Sequence, residues 1–487
     1  MSRSVPLVVD LDGTLITSDS LHELIVRALR RPTVLYRAVR ALLRYGKAAM
    51  KESLSREISL DFSVMPTNQA VLDTMTKAHE NGQPIVLATG ADTRVAQTVM
   101  ARFPLISAFF SSDGVTNLTS TRKAQKLLRE YGTSGFDYIG NSAADIAVWN
   151  VSRSQYLAVT GSSIPRTLLN RNFTEVLRGN QRDPFRAWLK AIRPHQSLKN
   201  LLLFLPLIAA HNLGDAMLLF RALAGFVLFS VMAASVYLLN DALDLDSDRR
   251  HQRKRHRALA AGEISPLVAI IVAFAFAILA LVCGWILNSS FSRILLFYAG
   301  VTVAYSFFLK RVVLVDVLVL AGLYMIRIFA GAQLTGISLT FWFVAVTTFL
   351  FVSLAFAKRF TEVISHTDKR EKIHGRGYQK SDSLIVCTLG VGSGMASVVF
   401  LAMYLQTHDI EKLYRTPDLL WFAVPLFFYW LANLWIHAGR NEIHEDPVLF
   451  AMRNRESLIS GILIVMIFAV AALPIFQTVL TFSAPRP

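Results

Sequence analysis

Only two cysteines occur in 487 residues, Cys283 and Cys387, and both lie inside long apolar runs. That placement excludes a disulfide framework and gives no sign of a cysteine-ligated metal centre. A secretory signal is not expected either: Met1 leads through Leu7, Val8 and Val9 straight into Asp10, too short an apolar stretch for export. Acid is scarce, with 34 Asp and Glu against 50 Lys and Arg and a formal net charge of +16. The surplus is uneven. Arg249, Arg250, Arg253, Lys254, Arg255 and Arg257 crowd one segment; Lys310 and Arg311 occupy another; Lys358, Arg359, Lys369, Arg370, Lys372 and Arg376 a third. The segments around Asn212, Asn288 and Thr335 have almost none. Such alternation places basic loops on the cytoplasmic side of a membrane. Contact with anionic lipid is another use for it, and no nucleic-acid partner is expected.

The 53% hydrophobic content averages two unlike parts. Residues 1–180 read as an α/β domain. From 198 to 487 apolar runs recur at the length a bilayer core of about 30 Å requires, roughly 20 residues in a helix. Spans are expected near 198–212, 217–240, 265–287, 291–309, 313–334, 339–357, 384–405, 418–437 and 457–482. The expectation is an integral protein of the cytoplasmic (inner) membrane, its N-terminal domain cytoplasmic and Pro487 outside. Between the parts, residues 181–197 carry Phe185, Trp188, Leu189 and Ile192 at helical spacing, accompanied by Arg182, Arg186, Lys190 and Arg193. This pattern predicts a basic amphipathic linker helix, lying at a membrane surface or packed on the N-terminal domain.

The N-terminal part opens with an apolar strand that ends in Asp10-Leu11-Asp12-Gly13-Thr14-Leu15. Open α/β sheets place chemistry at such strand ends. One carboxylate of the pair can attack phosphorus; the other, two residues on, can protonate the leaving oxygen and later activate water. A second buried strand, Ile85 to Ala88, ends in Thr89-Gly90, a hydroxyl suited to phosphate. Lys123, with Lys126 as a rival, can neutralise phosphate and nucleophile. A third strand ends in Gly140-Asn141-Ser142-Ala143-Ala144-Asp145. Asp145 can complete a Mg²⁺ shell with Asp10 and Asp12. These motifs resemble the haloacid dehalogenase (HAD) phosphatases across roughly residues 5–165. The resemblance implies a Rossmannoid α/β fold, with residues 16–80 as an inserted helical cap. Asn141 stands where many members have a second aspartate, which leaves open a degenerate, structural or regulatory domain.

Charge within or at the ends of membrane helices is expensive and points to function. The second expected span ends in Asn240-Asp241-Ala242-Leu243-Asp244-Leu245-Asp246-Ser247-Asp248. At about 100° per residue, Asn240, Asp241, Asp244 and Asp248 share one face of a continuous helix and Asp246 points elsewhere. Three carboxylates and an amide on one face call for a cation, and Mg²⁺ with a diphosphate suits them. Asp316, Leu320, Tyr324, Arg327 and Gly331 share an arc of a later helix, preceded by Tyr305 and Lys310. Lys358 and Arg359 stand one turn from Glu362, where snorkelling at a helix end is the plainer reading.

The NDxxDxxxD pattern at 240–248 resembles the UbiA superfamily of intramembrane prenyltransferases from about residue 193 onward. The resemblance implies an all-α membrane bundle of about nine transmembrane helices around a polar cavity. Aromatic prenyltransferases of this superfamily carry a second DxxxD motif; here Asp316 is followed by Leu320. The sequence is more similar to the branch that makes polyprenylphosphoryl-5-phosphoribose. It matches that branch at Arg193-Pro194-His195-Gln196-Ser197-Leu198-Lys199-Asn200, at Asp248 through Lys254, Arg257 and Gly262, at Tyr305 to Lys310, and at Lys358-Arg359-Phe360-Thr361-Glu362. Ser197, Gln252 and Ala258 depart from its pattern.

That similarity implies Mg²⁺ in both domains, with phosphoribosyl diphosphate (PRPP) and a polyprenyl phosphate lipid as substrates. Asp241 and Asp244 would act catalytically, with Asn240, Asp241, Asp244 and Asp248 at the metal. Lys199, Asn240, Lys254, Arg257, Tyr305, Lys310, Asp316, Tyr324, Arg327, Lys358, Arg359 and Glu362 would bind substrate. The HAD domain would use Asp10, Asp12, Thr89 and Lys123 to remove the 5-phosphate for envelope-glycan synthesis by downstream enzymes. Two alternatives remain open: a quinone-pathway aromatic prenyltransferase, and a phosphatase whose membrane half only captures lipid.

Overall fold

The computed structural model describes residues 5–160, 164–179, 183–365, 377–443 and 446–473. Arg182, Lys369, Arg370, Lys372, Arg376 and the end of the last expected span lie outside the described residues. The chain divides into two compact units, residues 1–193 with 237–275, and residues 194–236 with 276–487.

The first unit is built on six strands: β1 (Leu7–Val9), β2 (Ile85–Asp92), β3 (Ile106–Ser112), β4 (Asp137–Gly140), β5 (Gln155–Val159) and β6 (Glu175–Arg178). They form one sheet in the order β3-β2-β1-β4-β5-β6, parallel throughout. Val9 is paired with Leu87 on one side and Ile139 on the other. A parallel sheet is covered on both faces, so its central strands are continuously apolar. Leu7 and Val9 enter one core with Leu54, Val71 and Met75, whereas Val8 enters the other with Leu127, Tyr138 and Trp149. The strand order reverses at β1, and Asp10 stands at that switch point, where open α/β sheets hold their ligands.

Helices α1 (Ser20–Ala28), α2 (Pro32–Tyr45) and α3 (Lys47–Glu57) separate β1 from α4 (Gln69–Glu80). Because α4 packs on β2 and β6, it is a layer of the sheet domain, and the inserted cap is shorter than 16–80. The other helices of this region are α5 (Thr93–Arg102), α6 (Thr121–Tyr131), α7 (Ile146–Trp149) and α8 (Pro184–Ile192). Asp183 caps α8, its side chain accepting from the Phe185 amide, and Arg193 ends it in a left-handed conformation. The linker helix therefore forms as its spacing predicts.

The second unit opens with a 3-10 helix at Pro194–Phe204 and the short α9 (Leu205–Ala209). Here the structure departs from the expected first span. Pro206 has no amide to bond back into a preceding turn, so the run never becomes one long α-helix. Gly331 admits this segment: a Cβ there would lie 2.0 Å from the Leu203 carbonyl oxygen. Among the described residues, eight helices are long and apolar enough to cross a membrane, and these make the chain an integral membrane protein. They are α10 (Ala216–Leu243), α12 (Pro266–Leu287), α13 (Ser289–Phe307), α14 (Val315–Thr335), α15 (Phe341–Ile364), α16 (Ser383–Leu405), α18 (Ala423–Gly439) and α20 (Arg455–Ala472). Short helices α11 (Leu245–Arg250), α17 (His408–Leu413) and α19 (Pro447–Ala451) complete the set.

Residues 237–275 belong to the first unit. Leu238, Ala242, Leu259 and Ile270 pack in one apolar cluster with Val26 of α1 and Ala187 and Ala191 of α8.

Candidate functional site

The first unit holds two carboxylate clusters. In the sheet domain, Asp10 accepts a hydrogen bond from Lys123 Nζ at 2.8 Å; Lys123 also donates to Tyr138 Oη at 3.1 Å. Burial raises the Asp10 carboxyl to about 6, against the opposing pull of Lys123. Asp12 accepts from the Ser20 amide at the start of α1, at 2.7 Å. Burial, then the neighbouring Asp19 charge, raises Asp12 to about 7. Thr89 is fully buried, and its hydroxyl accepts from the Ala91 amide at 3.0 Å. Together these give a carboxylate carrying a lysine, a second carboxylate that holds a proton near neutrality, and a neighbouring strand-end hydroxyl.

Two residues that the motifs did not single out enter this site. Lys51 of α3 donates to the Gly90 carbonyl at 2.6 Å and to Asn117 at 2.9 Å, and burial lowers its pKa. It lines a cavity of about 70 Å³ with Asp12, Asp19, Ser20 and Asp92, so the cap contributes a cation to the pocket. Asn141 is the other. Gly13 sits at φ +72°, and a Cβ there would lie 2.1 Å from Asn141 Nδ2; its amide covers the aspartate turn. Asp145, expected at a metal, divides its two oxygens. Oδ1 accepts from Tyr138 Oη at 2.7 Å and lies 3.7 Å from Lys123 Nζ; Oδ2 takes the Asn141 and Ser142 amides and the Ser142 hydroxyl. Oδ2 orients the turn, while Oδ1 keeps a lone pair. Asp10, Asp12 and Asp145 are hard-oxygen donors of the kind that suits Mg²⁺.

The second cluster lies where α10 ends. The backbone continues through Asp244, whose amide bonds back to Asn240, and Asp248 bonds back to Asp244, but Asp244 (φ −89°, ψ 15°) interrupts the helix before α11. The four carboxylates separate accordingly. Asp241 is paired with Arg193 and, at 3.1 Å, with Arg257 Nη1. The same Arg257 nitrogen is 2.6 Å from Asp248, and Lys254 Nζ is 4.0 Å away on its other oxygen. Burial raises the Asp248 carboxyl, with Arg257 opposing. Asp244 instead receives Arg30 at 2.9 Å, and Asp246 receives Arg27 of α1. This corrects the expected single face, which assumed an unbroken helix. Asn240 is half-buried beside them.

Among the described residues, no group of three or more His, Cys, Asp or Glu is set to hold a metal. Asp241 and Asp248 nevertheless present oxygens to one cation, the Arg257 guanidinium, which stands where a divalent ion would be shared. Mg²⁺ commonly takes one or two carboxylates and completes its shell with substrate phosphate and water, so this pair fits it. Glu23 anchors the loop from below: fully buried, it accepts from Arg249 at 2.7 and 3.1 Å, from Arg27 at 2.8 Å and from Ser18. Burial alone would raise its pKa; Arg249 and Arg27 bring it below the usual carboxylate range.

In the second unit, the expected substrate-binding residues fall into two buried groups. Lys199 and Lys358 both point to Asp446, at 2.8 and 3.3 Å, and Tyr324 donates to its other oxygen at 2.7 Å. Arg327 donates to Asn200 at 2.9 Å and to Tyr298 at 3.2 Å, with the rings of Phe229, Tyr298 and Tyr324 around its guanidinium. In the second group Arg359 is ion-paired with Asp316 and Glu362 and donates to Tyr305 at 2.7 Å. Tyr378 donates to Asp316 at 2.7 Å. At 1% exposure Arg359 is a buried hub, not a snorkelling side chain. Lys310 is half-buried in a 3-10 turn after α13. Asp446, Tyr378 and Tyr298 were invisible to motif reading, because each is distant in sequence from the groups it holds; Asn200 stood in the 193–200 motif without a role.

The described residues thus hold a parallel α/β domain with an aspartate pair at its switch point, and helices long and apolar enough to cross a membrane with an acidic helix end and buried cations. Residues 201–373 match the model of the UbiA prenyltransferase family. The chain is 33% identical to the uncharacterized protein y4nM of Sinorhizobium fredii over 96% of its own length and 91% of that protein. It is 31% identical to decaprenyl-phosphate phosphoribosyltransferase of Mycolicibacterium smegmatis, over 50% of this chain and 79% of that one. Among solved structures, a UbiA homologue from Archaeoglobus fulgidus bound to GPP and Mg²⁺ covers 59% of this chain and 100% of its own, at 18% identity and TM-score 0.45. A phospho-aspartyl intermediate analogue of phosphoserine phosphatase covers 36% of this chain and 94% of its own, at 12% identity and TM-score 0.26. The chain belongs to the UbiA prenyltransferase family.

Proposed function

We propose that the membrane part transfers 5-phosphoribose from PRPP to a polyprenyl phosphate, and that the HAD-like domain then removes the 5-phosphate to leave polyprenylphosphoryl ribose. The observation that carries the first half is the surplus of positive charge in one buried group of the second unit, where Lys199, Lys358 and Arg327 gather about one carboxylate, Asp446. An aromatic acceptor needs no such density of positive charge; two phosphorylated substrates do. Similarity to decaprenyl-phosphate phosphoribosyltransferase supports the same reading, as does Leu320 where a second acidic motif would continue.

In the transfer, a phosphate oxygen of the lipid bonds to C1 of the ribose as the C1–O bond to diphosphate breaks, the electron pair leaving with the diphosphate. Lys199, Lys254, Arg257, Lys310, Arg327 and Lys358 receive the phosphates; Tyr324 orients Lys199 and Lys358 through Asp446, and Tyr305, Asp316 and Glu362 hold Arg359. In the hydrolysis, Asp10 attacks phosphorus and forms an acyl phosphate while Asp12 gives its proton to the departing ribose oxygen. Asp12 then takes a proton from the water that releases phosphate. Lys123 and Thr89 hold the transferred group, and Tyr138 and Asp145 hold Lys123. Bound Mg²⁺ would supply charge neutralisation in both places, held by Asp241 and Asp248 in one and by Asp10, Asp12 and Asp145 in the other.

Purified full-length protein, Mg²⁺, PRPP and radiolabelled polyprenyl phosphate provide the test, with products resolved by mass spectrometry. Phosphoribosylated lipid, converted to ribosyl lipid, is expected. Prenylation of an aromatic acid from a prenyl diphosphate, without transfer from PRPP, would sink the proposal.

A further inference from the structure

Between Glu23 and Glu52 the sequence contains no acid but eight bases, and α2 lies in the middle of that stretch. The helix packs inward through Val34 and Ala38. Its outer side is unusual for a water-facing surface: Tyr36 is 68% exposed, Val39 45%, Leu43 81% and Tyr45 75%. Tyr36, Val39 and Leu43 fall at i, i+3 and i+7, one stripe of the helix. Arg37, Arg40 and Arg44 are exposed beside them, and Arg31 and Lys47 at the two ends. A mixed stripe of aromatic, aliphatic and arginine side chains marks an interaction surface.

The same composition recurs on α8, where Phe185 is 70% exposed and Leu189 41%, with Arg186 and Lys190 exposed nearby. Two helices of one unit thus present apolar side chains among basic ones; Arg186, Lys190 and Arg37 are paired with Asp183, Glu263 and Glu57, which leaves Arg40 and Arg44 on α2 as the exposed cations nearest Leu43. The charge selects the occupant. Anionic headgroups attract Lys and Arg near the surface, aromatic and aliphatic groups enter the headgroup boundary, and arginine stems reach back to phosphate. A chain with eight membrane-crossing helices always has a bilayer at hand.

We propose that α2 is a membrane-docking helix: Tyr36, Val39 and Leu43 enter the headgroup region of an anionic bilayer, with Arg40 and Arg44 on lipid phosphate. Since α3, which follows after Gly46, carries Lys51 into the pocket beside Asp12, the docking would hold the cap at the lipid surface. The inference rests on the surface of the first unit and does not depend on the reaction proposed above.

The full-length chain, reconstituted at one copy per nanodisc, is labelled with an environment-sensitive fluorophore at Leu43→Cys, and in a separate sample at Arg129→Cys on α6. The discs contain phosphatidylcholine alone or with phosphatidylglycerol, plus a lipid spin-labelled near its headgroup. The expected result is a blue-shifted Leu43→Cys signal quenched roughly twofold more than Arg129→Cys, more so with the anionic lipid. Arg40→Glu with Arg44→Glu should reverse the lipid dependence at unchanged thermal melting. Equal quenching at the two positions would overturn the proposal. A blue shift appearing only at several copies per disc would assign the face to a second copy of the chain, and would overturn it equally.

Discussion

Asp10 is met by Lys123 and Asp12 by the Ser20 amide, whereas Asp241 and Asp248 are met by the guanidinium groups of Arg193 and Arg257. In the first cluster burial raises the carboxyls, Asp10 to about 6 and Asp12 to about 7, so protons make up part of the missing positive charge. A proton held near neutrality can be given and taken back, as stepwise phosphoryl transfer requires. In the second cluster the charge is balanced by fixed cations. Such groups exchange for a metal–diphosphate complex but do not shuttle protons. In the function proposed above, the same residue type serves two chemistries because its counter-charges differ.

Reciprocal substitutions give the strongest break of that comparison. Asp10→Asn should lower hydrolysis of the 5-phosphate by at least about 10³-fold and leave transfer within about twofold. Asp241→Asn should lower transfer by about 10²- to 10³-fold and spare hydrolysis. Product masses from each variant check both, and loss of both activities in either variant would show that the clusters do not work separately.

A pH titration sharpens the contrast. The folded-state values of Asp10 and Asp12 lie above the ordinary 3.8. The protonated groups therefore favour folding, and this contribution is complete below about 4 and lost as pH rises through about 6 to 7. For Asp10 alone it amounts to roughly 3 kcal/mol. Metal-free protein should melt progressively lower from pH 4.5 to 7.5, added Mg²⁺ should recover stability at the upper end, and Asp12→Asn should flatten the slope. Calorimetry of the full chain in detergent reads all three. A slope unaltered in Asp12→Asn would place the titration elsewhere.

The smallest effect is expected at Asp446, which touches two substrate-directed lysines. Asp446→Asn keeps the shape and removes the charge, and should lower kcat/KM for transfer about tenfold, mainly through KM for the phosphorylated substrates. An unchanged KM would remove Asp446 from the positioning of Lys199 and Lys358.

What could be read in the residues followed a plain rule. Continuous apolar strands ending in Asp10, Thr89 and Gly140 gave the sheet, because a parallel strand buried on both faces leaves that trace. The amphipathic 184–192 segment and eight of the spans were legible by period and length. The failures came where a local rule met a tertiary fact. The arc drawn through Asp241, Asp244 and Asp248 assumed an unbroken helix, and the change of backbone at Asp244 sends that side chain to Arg30. Residues 198–212 have the apolarity of a span but not its helical geometry. Asp446 carries no motif of its own and gains its place only through Lys199, 247 residues away.

Glu23 has one further consequence, for how this chain could be divided or recombined. It lies in the first turn of α1, fully buried, and it is the carboxylate for Arg249, which is only 6% exposed. A polypeptide begun at Pro194 would keep Arg249, Arg250 and the acidic helix end while losing Glu23, Arg27 and Arg30, so Arg249 would lose the carboxylate that it meets here. In this chain the junction near residue 193 therefore does not by itself divide the two compact units. Any ancestor in which the two halves were separate genes must have closed the loop at 237–275 with other side chains, and any engineered split would have to supply them again.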